Sequence, residues 1–251
     1  MKRLSFFLLL ISCCFVNANE MNAQFDQANQ AYRSGNYQKC AQIYQSILSQ
    51  GYENAELYYN LGNAYYKMNN VPAAILHYER ARRLSPSDPD IAHNLALANL
   101  RVTDKIDAIP ELFFISWWHD LLDLRSADQW AWIAIASLWG TVFATTLLLT
   151  NLLPGSLRTL LSAIVFAGTL FSAVSLTGMI ASSRAEKNHH FAIIFSPTVT
   201  VKSAPDENST NLFVLHEGVK IELLDHVSQW SKFKLVDGKI GWAPSSSFEA
   251  I

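Results

Sequence analysis

Charge is what this 251-residue sequence lacks first: Asp, Glu, Lys and Arg make up 16% of it, where a soluble domain carries about 25%. The deficit is local, because residues 129–157 and 159–183 hold no charged side chain. With 50% hydrophobic content, that pattern excludes both a wholly soluble chain and a wholly disordered one. An excess of positive charge is also missing. A net charge of −2 and a pI near 6.4 leave no basic footprint for nucleic acid. Cysteine is scarce, with Cys13 and Cys14 inside an expected leader and Cys40 alone beyond it. One mature cysteine excludes an internal disulfide and any cysteine-based metal site, so Cys40 reads as a small packing residue. There is no phosphate loop, no G-x-S-x-G elbow and no H-E-x-x-H helix. The seven histidines are scattered, and His189-His190 reads as a juxtamembrane polar pair. No enzyme, metal or cofactor is expected.

Met1-Lys2-Arg3, an apolar run over residues 4–16 and Val16-Asn17-Ala18 have the form of a secretory signal over residues 1–18, cleaved after Ala18. Two alternatives stay open: an uncleaved anchor, and lipidation at Cys13 behind Leu10-Ile11-Ser12. Residues 130–153 and 160–183 are each long enough to cross a hydrocarbon core of about 30 Å. Pro154-Gly155-Ser156 between them predicts an antiparallel transmembrane hairpin. Small residues recur at Ala136, Gly140 and Ala144, at Ala163 and Ala167, and at Gly168 and Ser172. That spacing lets helix backbones approach, within the hairpin or against a partner's helix. Residues 105–129, with Phe113, Phe114, Trp117 and Trp118 among scattered charges, read as an interfacial segment lying on the bilayer.

Orientation sets two rules against each other. Arg158 alone marks the short loop, while Arg125, Arg184, Lys187 and Lys202 flank the spans, which by Lys and Arg counting places the flanks in the cytoplasm. An N-terminal signal instead exports the segment behind it. The signal is taken to dominate, which puts both large segments in the periplasm.

Residues 19–104 repeat themselves at a spacing of 34: Phe25 with Tyr59, Ala28 with Gly62, Tyr32 with Tyr66, Asn36 with Asn70, Cys40 with Ala74 and Tyr44 with Tyr78. Tyr58, Leu61-Gly62, Tyr65, Ala74, Tyr78, Ala81 and Pro86 stand at the signature positions of a tetratricopeptide repeat, and the second copy resembles that family closely. Gly62 and Ala74 are small where paired helices cross, Tyr65 and Tyr78 fill the space between helices, and Pro86 ends the second helix. A further helix over about residues 90–102 closes the stack, since repeats bury their faces only against neighbours. The resemblance implies a concave groove lined by the first helix of each pair: Asn29, Tyr32 and Arg33, then Tyr59, Asn60, Asn63, Tyr66 and Lys67, then His93 and Asn94. Asn29 and Asn60 stand where the family's peptide-clamp asparagines would, able to hold a peptide backbone by donating and accepting at once. Phe25, Asp90 and Asn94 replace the clamp's basic residues, so a terminal carboxylate is not the expected ligand. The reading set against a peptide groove is a polar, solvated face.

Residues 184–194 read as a linker. From Phe195 the helical period gives way to alternation: Thr198 to Lys202, Leu212 to Leu215, Val219 to Leu223, and a hairpin through Asp237-Gly238 to Trp242. About five short strands in residues 195–251 predict an SH3-like barrel. Val199-x-Val201-Lys202-Ser203-Ala204-Pro205, Leu215-His216-Glu217-Gly218 and Asp237-Gly238-Lys239-x-Gly241-Trp242 resemble bacterial SH3 domains. The resemblance implies binding of peptides or cell-wall peptide stems. Trp230 and Trp242 then form an aromatic floor for a ligand, or else serve as core or rim residues.

The fold class expected is a multi-domain membrane protein: an all-α helical repeat, a two-helix transmembrane hairpin and an all-β SH3-like barrel. As a whole this order resembles the BatE family of tetratricopeptide proteins from the aerotolerance operon of Bacteroidota. That resemblance implies membrane-anchored von Willebrand factor A-type proteins and other repeat proteins of the same operon as partners, in a scaffold for an envelope complex. Besides the lipid bilayer, the alternative partner is peptidoglycan, with the chain as a cell-wall sensor or anchor.

Overall fold

The computed structural model describes residues 21–110, 112–150, 154–188 and 190–251. The expected leader, with its cleavage after Ala18 or lipidation at Cys13, lies outside the described residues. Helix α1 covers residues 21–33 of these. It is followed by α2 (Tyr37–Ser49), α3 (Ala55–Lys67), α4 (Val71–Leu84) and α5 (Pro89–Asn99). The period of 34 has a visible local cause. Gly35 and Asn69, one repeat apart, take positive φ of 77° and 63°, the left-handed turn that Gly and Asn tolerate best. The next residue caps the following helix: the Asn36 and Asn70 side chains accept from the backbone N–H of Lys39 and Ala73. Gly62 is small because a Cβ there would meet the Tyr78 ring at 2.7 Å.

Strands β1 (His190–Ile194), β2 (Thr198–Lys202), β3 (Asn211–His216), β4 (Lys220–Val227), β5 (Trp230–Lys234), β6 (Ile240–Pro244) and β7 (Phe248–Ala250) form one sheet in the order β3-β2-β6-β5-β4-β1-β7. Its register pairs Val199 with Leu215, Leu223 with Phe233 and Lys232 with Trp242, all antiparallel. The Asp237-Gly238 turn joins β5 to β6, with Gly238 at φ 84°. The sheet has two more strands than the sequence predicts, and β1 occupies part of the expected linker. Ala192, Ile193 and Ile194 are buried in succession, so β1 shows no alternation to read. His190, expected as half of a juxtamembrane pair, begins this strand.

The repeats and the sheet form a single compact unit, which takes in Asp88–Ala108 and Phe191–Ile251; the other unit takes in Ile109–His190. One apolar core runs through the first unit, joining Ile75, Leu76, Tyr78, Leu95 and Val102 to Ile193, Ile194, Val201, Ile221 and Phe233. The sequence between Ala108 and Phe191 therefore leaves this unit and comes back to it.

In the second unit, α6 (Phe113–Asp123) exposes Phe113 and Trp117. Helices α7 (Ala127–Leu149) and α8 (Gly155–Asn188) pack against each other, and each is long and apolar enough to cross a membrane. Helix α7 starts three residues before the expected span because Ser126 and Gln129 form a capping box. Helix α8 runs five residues past the expected end of its span, where a linker was expected. Only part of the small-residue pattern joins the two helices. Ala144 is buried, a Cβ on Gly168 would meet Thr141 Oγ1 at 2.7 Å, and Ser172 donates to Ser137 Oγ at 3.0 Å. Ala136, Gly140, Ala163 and Ala167 are exposed. On α7 the contact also uses the hydroxyl residues Ser137 and Thr141, and on α8 Gly178 packs against the Trp130 ring, at 3.1 Å from a Cβ placed there, none of which the spacing pattern picked out.

Candidate functional site

The inner helices α1, α3 and α5 bring Asn29, Tyr59, Asn60, Asn63 and Asn94 into a hydrogen-bond network that repeats with the period of the chain. Asn29 Oδ1 accepts from the Tyr44 hydroxyl at 2.6 Å, and Asn63 Oδ1 accepts from the Tyr78 hydroxyl at 2.8 Å. Asn60 faces the Tyr44 hydroxyl as Asn94 faces that of Tyr78. Asn94 Nδ2 donates to Asn63 Oδ1 and to the Tyr59 hydroxyl, each at 2.9 Å. Burial pushes the Tyr44 and Tyr78 hydroxyls well above the ordinary phenol range, so both stay protonated donors.

This network changes the use of the asparagines. Asn63 Oδ1 already accepts twice and Asn94 Nδ2 already donates twice, so half of each amide is committed to the floor. What the groove presents is the other half of each, beside Tyr32, Tyr59 and Tyr66, which are half-buried, and Arg33, Lys67 and His93, which are exposed. Tyr32 rests edge-on against Tyr37 at 5.2 Å, and the Arg101 guanidinium sits 5.2 Å over the Tyr66 ring. Arg101 also donates to Asn69 Oδ1. Counting outward from Lys67 by one repeat would have added Arg101 to the expected groove residues. Cys40 packs under this floor, fully buried, with its thiol pushed up to about 11 by burial.

The outer face of α4 is closed by the sheet. Pro72, Ala73, Ala74, Ile75, Leu76, His77, Tyr78 and Glu79 are all buried, so α4 has no solvent face along two turns. Glu79 Oε2 accepts from Lys220 Nζ at 2.9 Å and from Arg82 Nη2 at 2.7 Å. Arg80 pairs with Glu249 at 3.1 Å and donates to the Ala250 carbonyl at 2.6 Å. Asp104 accepts from the backbone N–H of His216 and faces its Nδ1 at 3.0 Å. A Cβ on Gly218 would meet Val102 at 2.9 Å, which ties the Glu217-Gly218 turn to the segment just after α5. Sequence reasoning missed this docking. Its signal was present: Val71-Pro72-Ala73-Ala74-Ile75-Leu76 has no polar stripe, and a helix apolar all round is covered all round.

A cavity of about 330 Å³ remains between α2, α4 and the sheet, lined by Leu48, Tyr65, His77, Arg80, Phe195 and Glu249 among others. His77 is stacked on Tyr65 at 5.3 Å, and its buried Nδ1 has no hydrogen-bond partner among the described residues. Burial, helped by the Arg80 cation, pulls its pKa down to about 3, so the ring is neutral.

Trp230 and Trp242 stand apart from the core. Along β5 and β6 the buried residues are Ser231, Phe233, Gly241 and Ala243. Trp230, Lys232 and Trp242 alternate with them on the outer face, half-buried, where Lys232 pairs with Trp242.

Comparison with known families agrees with this division. Residues 25–89 match the tetratricopeptide repeat model, and residues 197–249 match the bacterial SH3 domain model. The chain carries both modules. No curated protein matches it. The bacterial SH3 match begins after β1, so the strand between hairpin and SH3 domain lies outside the matched segment.

Proposed function

We propose that this chain is a non-catalytic scaffold of a bacterial inner membrane, which holds protein partners in the concave face of its repeats. One observation carries the reading: the sheet covers the outer face of α4, while the inner helices keep Tyr32, Tyr59, Tyr66, Asn60 and Asn94 half-open to solvent. A docked SH3 domain on one face and an open aromatic and amide face on the other suit a rigid adaptor, because a preordered groove loses little entropy on binding. The return of the chain to one unit after α7 and α8 supports a hairpin with both modules on the same side, and the leader argues for the periplasm. The resemblance to the BatE family names the finer role: an envelope complex serving aerotolerance, with membrane-anchored von Willebrand factor A-type proteins and repeat proteins of the same operon as partners.

The test is a photo-cross-linking residue at Asn60 of the full chain in intact cells, followed by mass spectrometry. The expected product is a link to a von Willebrand factor A-type membrane protein. Self-links alone would remove the groove assignment. A second reading, cell-wall recognition, is favoured by the outward Trp230, two residues before Lys232 on β5, and Trp242, directly across from Lys232 on β6. It predicts muropeptide adducts from a cross-linker at Lys232, and their absence removes it.

A further inference from the structure

The inner helices carry cations in repeat register. Arg33 ends α1, Lys67 ends α3, and Arg101 follows α5 by two residues; each is exposed, and they are spaced by the same 34 residues as the repeat. A second row runs beside them: Tyr32 and Tyr66, half-buried, and Leu100, 72% exposed. Glu56 and Asp90 sit in the first turns of α3 and α5, a helix length away from the bases. Among the described residues no ion pair joins Arg33, Lys67 or Arg101 to an acid. A base at a helix C-terminus complements the macrodipole by about 0.3–1 kcal/mol. The dipole does not account for the aromatic and apolar row beside the bases, nor for Arg101 being held in place over Tyr66 and Asn69.

Packed helices lie about 8–10 Å apart. A polyproline II segment rises about 3.1 Å per residue with three residues per turn, so every third side chain points the same way at about 9 Å intervals. We infer that this row docks an extended acidic segment of a partner protein, with carboxylates at every third residue meeting Arg33, Lys67 and Arg101 and the intervening side chains lying on Tyr32, Tyr66 and Leu100. The inference rests on the groove reading above and names its ligand chemistry. The arginines take carboxylates as two-toothed, charge-assisted pairs, and the row needs no terminal carboxylate.

The test uses the full chain in detergent micelles and a fluorescent peptide of three Glu-Ala-Ala units, acetylated and amidated so that only side chains carry charge. Anisotropy should show binding that weakens as ionic strength rises from about 0.01 to about 0.15 M. The peptide with Gln for Glu, and the double variant Arg33→Glu with Lys67→Glu, should each bind about tenfold or more weakly, a loss of about 1.4 kcal/mol or more, with the variant still unfolding in one cooperative transition whose midpoint falls only by the lost dipole contributions. Equal binding of the Glu and Gln peptides, full binding by the double variant, or no binding of either peptide overturns the acidic-segment assignment. Protein cross-links still obtained from Asn60 would then leave the groove reading standing. Loss of both results would remove both.

Discussion

Helices α2 and α4 occupy the same place in successive repeats and meet different fates. Each begins behind an asparagine cap and each offers a tyrosine hydroxyl to the inner helix before it. Helix α2 buries a single stripe, Cys40, Ala41, Tyr44 and Ile47, whereas α4 buries eight consecutive residues. At the positions where α2 carries Gln38, Lys39, Gln42 and Gln45, α4 carries Pro72, Ala73, Leu76 and Glu79. The repeat therefore fixes how helices pair, and the residues free of that duty decide what covers them. In α4 they recruit the sheet.

The largest expected difference comes from Leu76 and its counterpart Gln42. Leu76 is 1% exposed in the core shared by the repeats and the sheet. Leu76→Ala should cost about 2–5 kcal/mol, and because that core is shared, the repeats and the sheet should melt together at a lower temperature. Gln42→Ala, on an exposed face, should stay within about 0.5 kcal/mol. Thermal unfolding of the full chain followed by tryptophan fluorescence and circular dichroism measures both. Equal effects would mean that the sheet does not lean on α4.

An effect absent near neutral pH, and confined to α4, is pH dependence. His77 stands where α2 has Ile43. Its pKa is about 3 in the folded chain, against an ordinary 6.5. The unfolded chain thus binds the extra proton between those values, so stability is complete above pH 6.5 and falls as pH drops toward 3. His77→Phe, which keeps the stacking on Tyr65, should flatten the melting temperature across that interval. An unchanged profile in the variant would assign the pH dependence to other groups.

The contrast between the two helices also marks where the sequence could be read and where it could not. Asn36 and Asn70, Gly62 and the Asp237-Gly238 turn act locally, through caps, close approach and left-handed φ, so their residue types declare them. The two apolar helices declare themselves by the absence of charge. What stayed hidden depends on partners distant in the chain. Strand β1 is apolar on both faces and so lacks alternation. Gly168 and Ser172, which the spacing did point to, meet Thr141 and Ser137 on α7, hydroxyl residues that a search for small residues passes over, while the small residues Ala136 and Gly140 are exposed. In the groove, Asn29 and Asn63 look like ligand-binding amides until their tyrosine partners, 15 residues on, are known.

Those tyrosines give the finest comparison. Tyr44→Phe removes the hydroxyl that donates to Asn29 Oδ1, and Tyr78→Phe removes the one that donates to Asn63 Oδ1. A typical intramolecular hydrogen bond contributes about 0.5–1.5 kcal/mol, and both rings would keep their packing. Asn63 Oδ1 retains a second donor in Asn94 Nδ2, which already spans from α5 to α3. Tyr78→Phe should therefore cost less than Tyr44→Phe, although Tyr78 is the tyrosine in the larger core. If instead Tyr78→Phe costs more, the Asn63–Asn94 bridge depends on the hydroxyl to orient it, and the floor of the groove is one cooperative network. The double-variant cycle Tyr78→Phe with Asn94→Ala measures their coupling energy: a near-zero value means independent bonds to Asn63, and a large one means that the hydroxyl and the amide hold each other in place.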